Sequence, residues 1–142
     1  DNFATIVAAV EEGRGIFDNI RKTIVYLLSG NVGELAVVLG AAVTGLPAPL
    51  LPLHLLWINL VTDGIPALSL VTDRSGSSTM QQPPRPADEP ILRRREWRDV
   101  AFAGALQAFA TLGVFVWALE TRDLEEARNL AFSTLVFGEL LR

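Results

Sequence analysis

Apolar residues are massed in four blocks along this 142-residue chain rather than scattered at amphipathic spacing. Thr23 to Thr44, Leu53 to Val71 and Val100 to Leu119 each approach or exceed the roughly 20 residues with which a helix crosses a bilayer. A fourth block begins near Asn129 and runs to Arg142. Residues 1–22 are mixed, with Ile6, Val7, Val10, Ile16, Phe17 and Ile20 at helical spacing, and predict a helix that continues unbroken into the first block. Gly13 and Gly15 weaken that helix without ending it. The stretch GLPAPLLP, Gly45 to Pro52, stops it, because three closely spaced prolines cannot continue a helix. The second block contains NLVTDGIP, where Asp63-Gly64 and Pro66 predict local unwinding inside a span. Irregular backbone at membrane depth is tolerated where it lines a site rather than facing lipid.

Residues 72–98 are hydrophilic, with QQPPRPADEP followed by Arg93, Arg94, Arg95 and Arg98, and predict a mostly extended loop. ETRDLEEAR makes an acidic turn before the fourth block. The expected fold class is therefore all-α: a transmembrane bundle of about four helices with spans near 23–44, 53–71, 100–119 and 129–142. Residues 1–22 extend the first helix as a stalk. Basic residues cluster before the first span and between the second and third, which puts both clusters on the cytoplasmic side. Trp57, Trp97 and Trp117 suit the membrane interfaces.

Half of the residues are hydrophobic and the net charge is only -4, with no basic, aromatic-interleaved surface for nucleic acid. The lipid bilayer is the expected partner. Cysteine is absent, which removes disulfides and thiolate metal sites. The chain starts without Met and stops inside an apolar block, and so reads as part of a larger polypeptide.

Three carboxylates, Glu34, Asp63 and Glu139, lie about ten residues from one end of their blocks, or about 15 Å deep at 1.5 Å per residue. A charge at the bilayer centre costs roughly 2.5–3.5 kcal/mol on insertion scales, so three of them need a compensating partner or a role. Asn31 lies three residues before Glu34, and Asn59 and Thr62 lie just before Asp63, at spacings that share a helix face. These ligands are all oxygens, which favours a hard cation over zinc or copper. Ca²⁺, with its 6–8 flexible oxygen ligands, suits the set best, while Na⁺, K⁺ and Mn²⁺ remain open on ligand type. A proton relay uses similar residues, and hydrogen-bonded helix contacts would account for a lone Asn or Thr. His54 fits a helix-end hydrogen bond better than a ligand role.

The segments DNFATIVAAVEEGRGIFDNIRK, YLLSGNVGE, LPLHLLWINLVTDGIPA and MQQPPRPADEPIL closely resemble the C-terminal part of P-type cation-transporting ATPases, nearest to the sarcoplasmic-reticulum-type calcium pumps and their bacterial relatives. The resemblance covers residues 1 to about 92 and returns at AFSTLVFGE, and the NVGE and NLVTDG pair is its most specific part. It implies that the spans match family helices five to eight, with residues 1–22 leaving the phosphorylation domain. Carried over by motif, Asn31, Glu34, Asn59, Thr62, Asp63 and Glu139 would be cation ligands. The resemblance further implies an ATP-driven translocase exporting Ca²⁺, in a bacterial plasma membrane. ATP, Mg²⁺ and the catalytic residues would belong to other parts of the polypeptide, since no DKTGT or TGES motif stands here. Missing transmembrane helices and cytoplasmic domains of the same polypeptide would be its partners. The competing expectation is a small channel or a helical interaction module without enzymatic activity.

Overall fold

The computed structural model describes residues 2–72, 79–81, 83–84, 86 and 88–141. Within them the protein is all-helical. Helix α1, Phe3–Thr44, is 42 residues long and unbroken by its glycines. At 1.5 Å per residue it extends about 63 Å, twice a hydrocarbon core, so part of it must project beyond any membrane it crosses. Residues 2–13, at its start, are all exposed. Asn2 caps the first turn by accepting from the Ala4 N–H at 3.3 Å. Gly45 ends the helix in the left-handed region, φ 70°, where a side chain would be strained. The Leu46 N–H then returns to the Ala41 carbonyl at 2.9 Å.

The second span does not unwind as its Asp-Gly and proline predict: Asp63 keeps right-handed helical angles, and only the hydrogen-bond ladder is broken, by a change of helical type. Helix α2, Pro52–Trp57, opens on a proline, whose missing N–H costs nothing at a first helical position. A π-helical segment, Ile58–Thr62, follows, closed by the Asp63 N–H on the Ile58 carbonyl at 3.0 Å. Helix α3, Gly64–Val71, resumes the α pattern. Pro66 has no N–H to give the Thr62 carbonyl four residues earlier, so the ladder cannot run straight through. A short 3₁₀ turn, Thr79–Gln81, lies in the connection. The remainder of that predicted loop, residues 73–78, 82, 85 and 87, lies outside the described residues.

Both later helices start earlier than hydropathy alone suggests. Helix α4 is Arg94–Thr121, so Arg94, Arg95 and Arg98 are helical rather than extended. Its start is set by Glu96, which accepts the Arg93 N–H at 2.7 Å. Helix α5 is Leu124–Leu140, beginning five residues before the apolar block at Asn129. Asp123 caps it, accepting from the Glu126 N–H at 2.8 Å, and Glu125 and Glu126 sit favourably at the positive helix end. Among the described residues three stretches are long and apolar enough to cross a membrane: Phe3–Thr44, Pro52–Val71 and Arg94–Thr121. At 17 residues α5 falls short of the usual span.

Helix α4 lies between α1 and α5, while the broken span packs on another side of α1. One core cluster joins Val37, Leu50, Ile58, Ala108 and Leu135; a second joins Phe115, Ala118, Ala127 and Ala131. The alanines let backbones approach closely, which matters in lipid, where association depends on close packing rather than on hydrophobic burial. Leu53, Leu60, Leu68, Phe102 and Phe109 remain exposed on the outside, a surface suited to lipid or to further helices.

Candidate cation site

Glu34 faces the broken span from the second half of α1 and is only 6% exposed. Its Oε2 accepts from Asn59 Nδ2 at 2.9 Å, and that amide also donates to the Leu55 carbonyl at 2.9 Å. The other carboxylate oxygen, Oε1, is buried with no hydrogen-bond partner. A buried carboxylate oxygen left so is costly unless a proton, a water or a cation completes it. Thr62 and Asp63 are buried at the end of the π segment. The Thr62 carbonyl that Pro66 cannot serve accepts instead from the Tyr26 hydroxyl at 3.3 Å. Farther down, Asn19 Nδ2 donates to the Val71 carbonyl at 3.4 Å, in the last turn of α3. Asn19, Tyr26 and Glu34 are about two turns apart, so one stripe of α1 holds the broken span at three heights.

The predicted ligands are brought together only in part. Glu34 and Asn59 are joined by their hydrogen bond, and Thr62 and Asp63 are buried at the end of the same π segment. Asn31 sits about 60° around the helix from Glu34, since three residues fall short of a full turn. It is exposed there, and its amide donates to the Leu27 carbonyl of its own helix at 2.9 Å. Glu139 is 1% exposed in α5, but among the described residues no three His, Cys, Asp or Glu side chains converge to hold a metal ion. The donor set still suits a hard cation, because it offers carboxylates and amide and backbone carbonyl oxygens and no nitrogen or sulfur ligand. His54 makes the expected helix-end contact, its Nδ1 accepting from the Leu51 N–H at 3.3 Å.

Tyr26 and Gln107 are contributors that pattern reading passes over. A signal for Tyr26 exists in principle: Pro66 announces an orphaned carbonyl at Thr62, and a hydroxyl must come from elsewhere. Nothing local signals that Gln107 of α4 donates to the Leu135 carbonyl of α5 at 2.8 Å. Toward the start of α1, Arg21 and Glu96 form an ion pair at 2.5 Å between α1 and α4. A groove of about 410 Å³ opens beside that pair, lined by Lys22, Tyr26 and Asp99 among others, and it contains none of the six predicted ligands.

Comparison with known proteins follows the same lines. The family described as cation transporting ATPase, C-terminus, matches residues 47–142. A calcium-transporting ATPase of Bacillus subtilis (strain 168) is 44% identical over 143 residues, covering 99% of this chain and 16% of that protein. A probable calcium-transporting ATPase of Trypanosoma brucei brucei is 44% identical over 117 residues, covering 82% of this chain and 12% of that protein. The chain thus spans less than a fifth of the length of these relatives.

Proposed function

The chain belongs to the cation-transporting P-type ATPase family, in its C-terminal region, and from that premise we propose that it is the ion-binding membrane part of an ATP-driven pump exporting Ca²⁺ from the cytoplasm. The observation that carries the proposal is the buried, unpartnered Oε1 of Glu34 beside Asn59 at a helix broken in mid-span. The calcium-transporting relatives support Ca²⁺ over other hard cations. Glu34, Asn59, Thr62 and Asp63 would form the nucleus of the site, with Asn31 and Glu139 joining as ligands when helices rotate or shift during the cycle. The Bacillus relative favours a bacterial plasma membrane, with the projecting start of α1 in the cytoplasm.

In this scheme ATP and Mg²⁺ act in cytoplasmic domains of the longer polypeptide, where phosphorylation biases two conformations. Helix α1, continuous from its exposed start to Glu34, transmits that bias as a rigid body. A ligand or modification shifts such an equilibrium only by its differential affinity for the two states. Glu34 and Asp63 bind Ca²⁺ when ionised and release it when the second state disfavours their charge. The test is ATP hydrolysis by the full-length protein titrated with Ca²⁺, beside Glu34→Gln and Asp63→Asn. Activation at micromolar-order Ca²⁺, the sensor range of oxygen-ligand sites, should vanish in both variants with expression intact. Normal Ca²⁺ dependence in both would reject the proposal, and activation by Mn²⁺, Na⁺ or K⁺ alone would replace its ion.

A further inference from the structure

Gln107 is the strongly polar residue in the apolar stretch of α4, and it crosses between two other helices. Its stem passes over Gly33 of α1, where an added Cβ would stand 3.3 Å from Gln107 Cγ and 3.4 Å from its Cβ. Its amide ends against Gly138 of α5, where any Cβ would overlap both amide heavy atoms. Nε2 donates to the Leu135 carbonyl at 2.8 Å. In the i to i−4 ladder that carbonyl also receives the backbone N–H of Glu139, so the tie acts on the turn that carries Glu139. The two glycines that make room for the side chain directly precede Glu34 and Glu139 in sequence.

We infer that Gln107 is a positioning residue for the ion site, a strut that sets the height and rotation of the Glu139 turn against the Glu34 turn. The inference rests on the proposed ion-binding role. An amide in apolar surroundings gains by keeping its hydrogen bond, because no water stands ready to replace the lost partner. The two glycine gaps admit the side chain along one path and exclude bulkier neighbours. Gln107 carries no charge and needs no contact with the ion. It acts by fixing where a carboxylate stands, in the way that outer partners of metal ligands do.

The test uses the full-length protein in detergent, with equilibrium ⁴⁵Ca²⁺ binding and thermal melting in Ca²⁺-free buffer. Gln107→Met keeps the length of the side chain and its packing on Gly33 while deleting the donor. Ca²⁺ affinity is expected to fall about tenfold, at the lower end for outer partners of metal ligands, with Ca²⁺-free melting unchanged. Unchanged affinity, or affinity and melting falling together, would overturn the inference in favour of plain packing. Gly138→Ala should displace the amide and cost a similar factor in affinity. In a Gln107→Ala background, where the amide is gone, the same alanine should add no further loss. Additive losses would count against the strut. Glu34→Gln in the same assay separates the two levels. Normal binding there rejects the ion-site reading and this inference with it. Lost binding there beside normal binding in Gln107→Met rejects the strut alone.

Discussion

Helix α1 has two unlike interfaces. Toward the broken span it offers Asn19, Tyr26 and Glu34, each exchanging a hydrogen bond with the other segment at 2.9–3.4 Å. Toward α4 it offers Gly33, whose backbone N would lie 3.2 Å from a Cβ placed on Gly104, and the rest of that contact is mainly aliphatic. Close apolar packing has one good arrangement and resists displacement. Hydrogen bonds to backbone carbonyls at an irregular segment can be exchanged for others at modest net cost, near 1 kcal/mol each. On the proposed function the contrast divides labour: α1 and α4 would form a frame, and the π segment would be the part that changes its oxygen partners.

Substitutions can break that contrast on either side. The largest effect belongs to the frame. Gly104→Leu would drive a side chain into Val32, whose Cγ1 would stand only 2.7 Å from the new Cβ. Overpacking of this kind costs about 1–3 kcal/mol or more, so melting temperature, expression and Ca²⁺ affinity of the full-length protein should fall together. A variant that melts normally but binds Ca²⁺ poorly would show that this contact belongs to the moving part.

The opposite signature is expected at Tyr26→Phe, which leaves the Thr62 carbonyl with neither Pro66 nor a hydroxyl to serve it. An unsatisfied buried acceptor costs about 1–3 kcal/mol, which at the lower end corresponds to roughly fivefold in an equilibrium. On the proposed site, ⁴⁵Ca²⁺ affinity should drop by about that factor, with a smaller fall in melting temperature than Gly104→Leu causes. Equal loss in both measurements would erase the distinction between frame and site.

The smallest effect is expected at the Arg21–Glu96 pair, which joins mid-α1 to the start of α4. Its side chains are 12% and 23% exposed, so the pair is largely shielded but still reached by salt at its open side, and it contributes on the order of 1 kcal/mol. Glu96→Gln keeps an oxygen for the Arg93 N–H and deletes the charge. Its melting temperature should drop slightly at low salt and match the parent protein at high salt. An unchanged melting temperature even at low salt would assign Glu96 to helix capping alone.

Much of the frame was legible in the order of residues. The apolar blocks, the proline stop after Thr44 and the break near Pro66 depend on local properties: side-chain transfer into lipid and a missing N–H. The buried carboxylates Glu34, Asp63 and Glu139 were legible for the same reason, because a charge within an apolar run must find shelter. Helix starts were misjudged where hydropathy was followed past a cap. DLEE at Asp123 and Arg93-Arg94-Arg95-Glu96 both contain the polar signal that begins a helix before its apolar run.

Helix orientation and cross-helix pairing were not legible. Spacing puts Asn31 and Glu34 on a shared side, yet Glu34 turns toward Asn59 while Asn31 stays exposed and bonds its own helix. Which 60° of a helix faces inward follows from its packing against α4, and that packing follows from how Gly33, Gly104 and Gln107 fit. The partners Tyr26–Thr62 and Gln107–Leu135 are 36 and 28 residues apart, and no local pattern relates them. By itself the sequence determined where helices form and break, because those choices are made within a few residues of backbone hydrogen bonding. Only the tertiary structure decided which oxygens face one another, because that depends on the rotation and height of whole helices, set by contacts between distant segments.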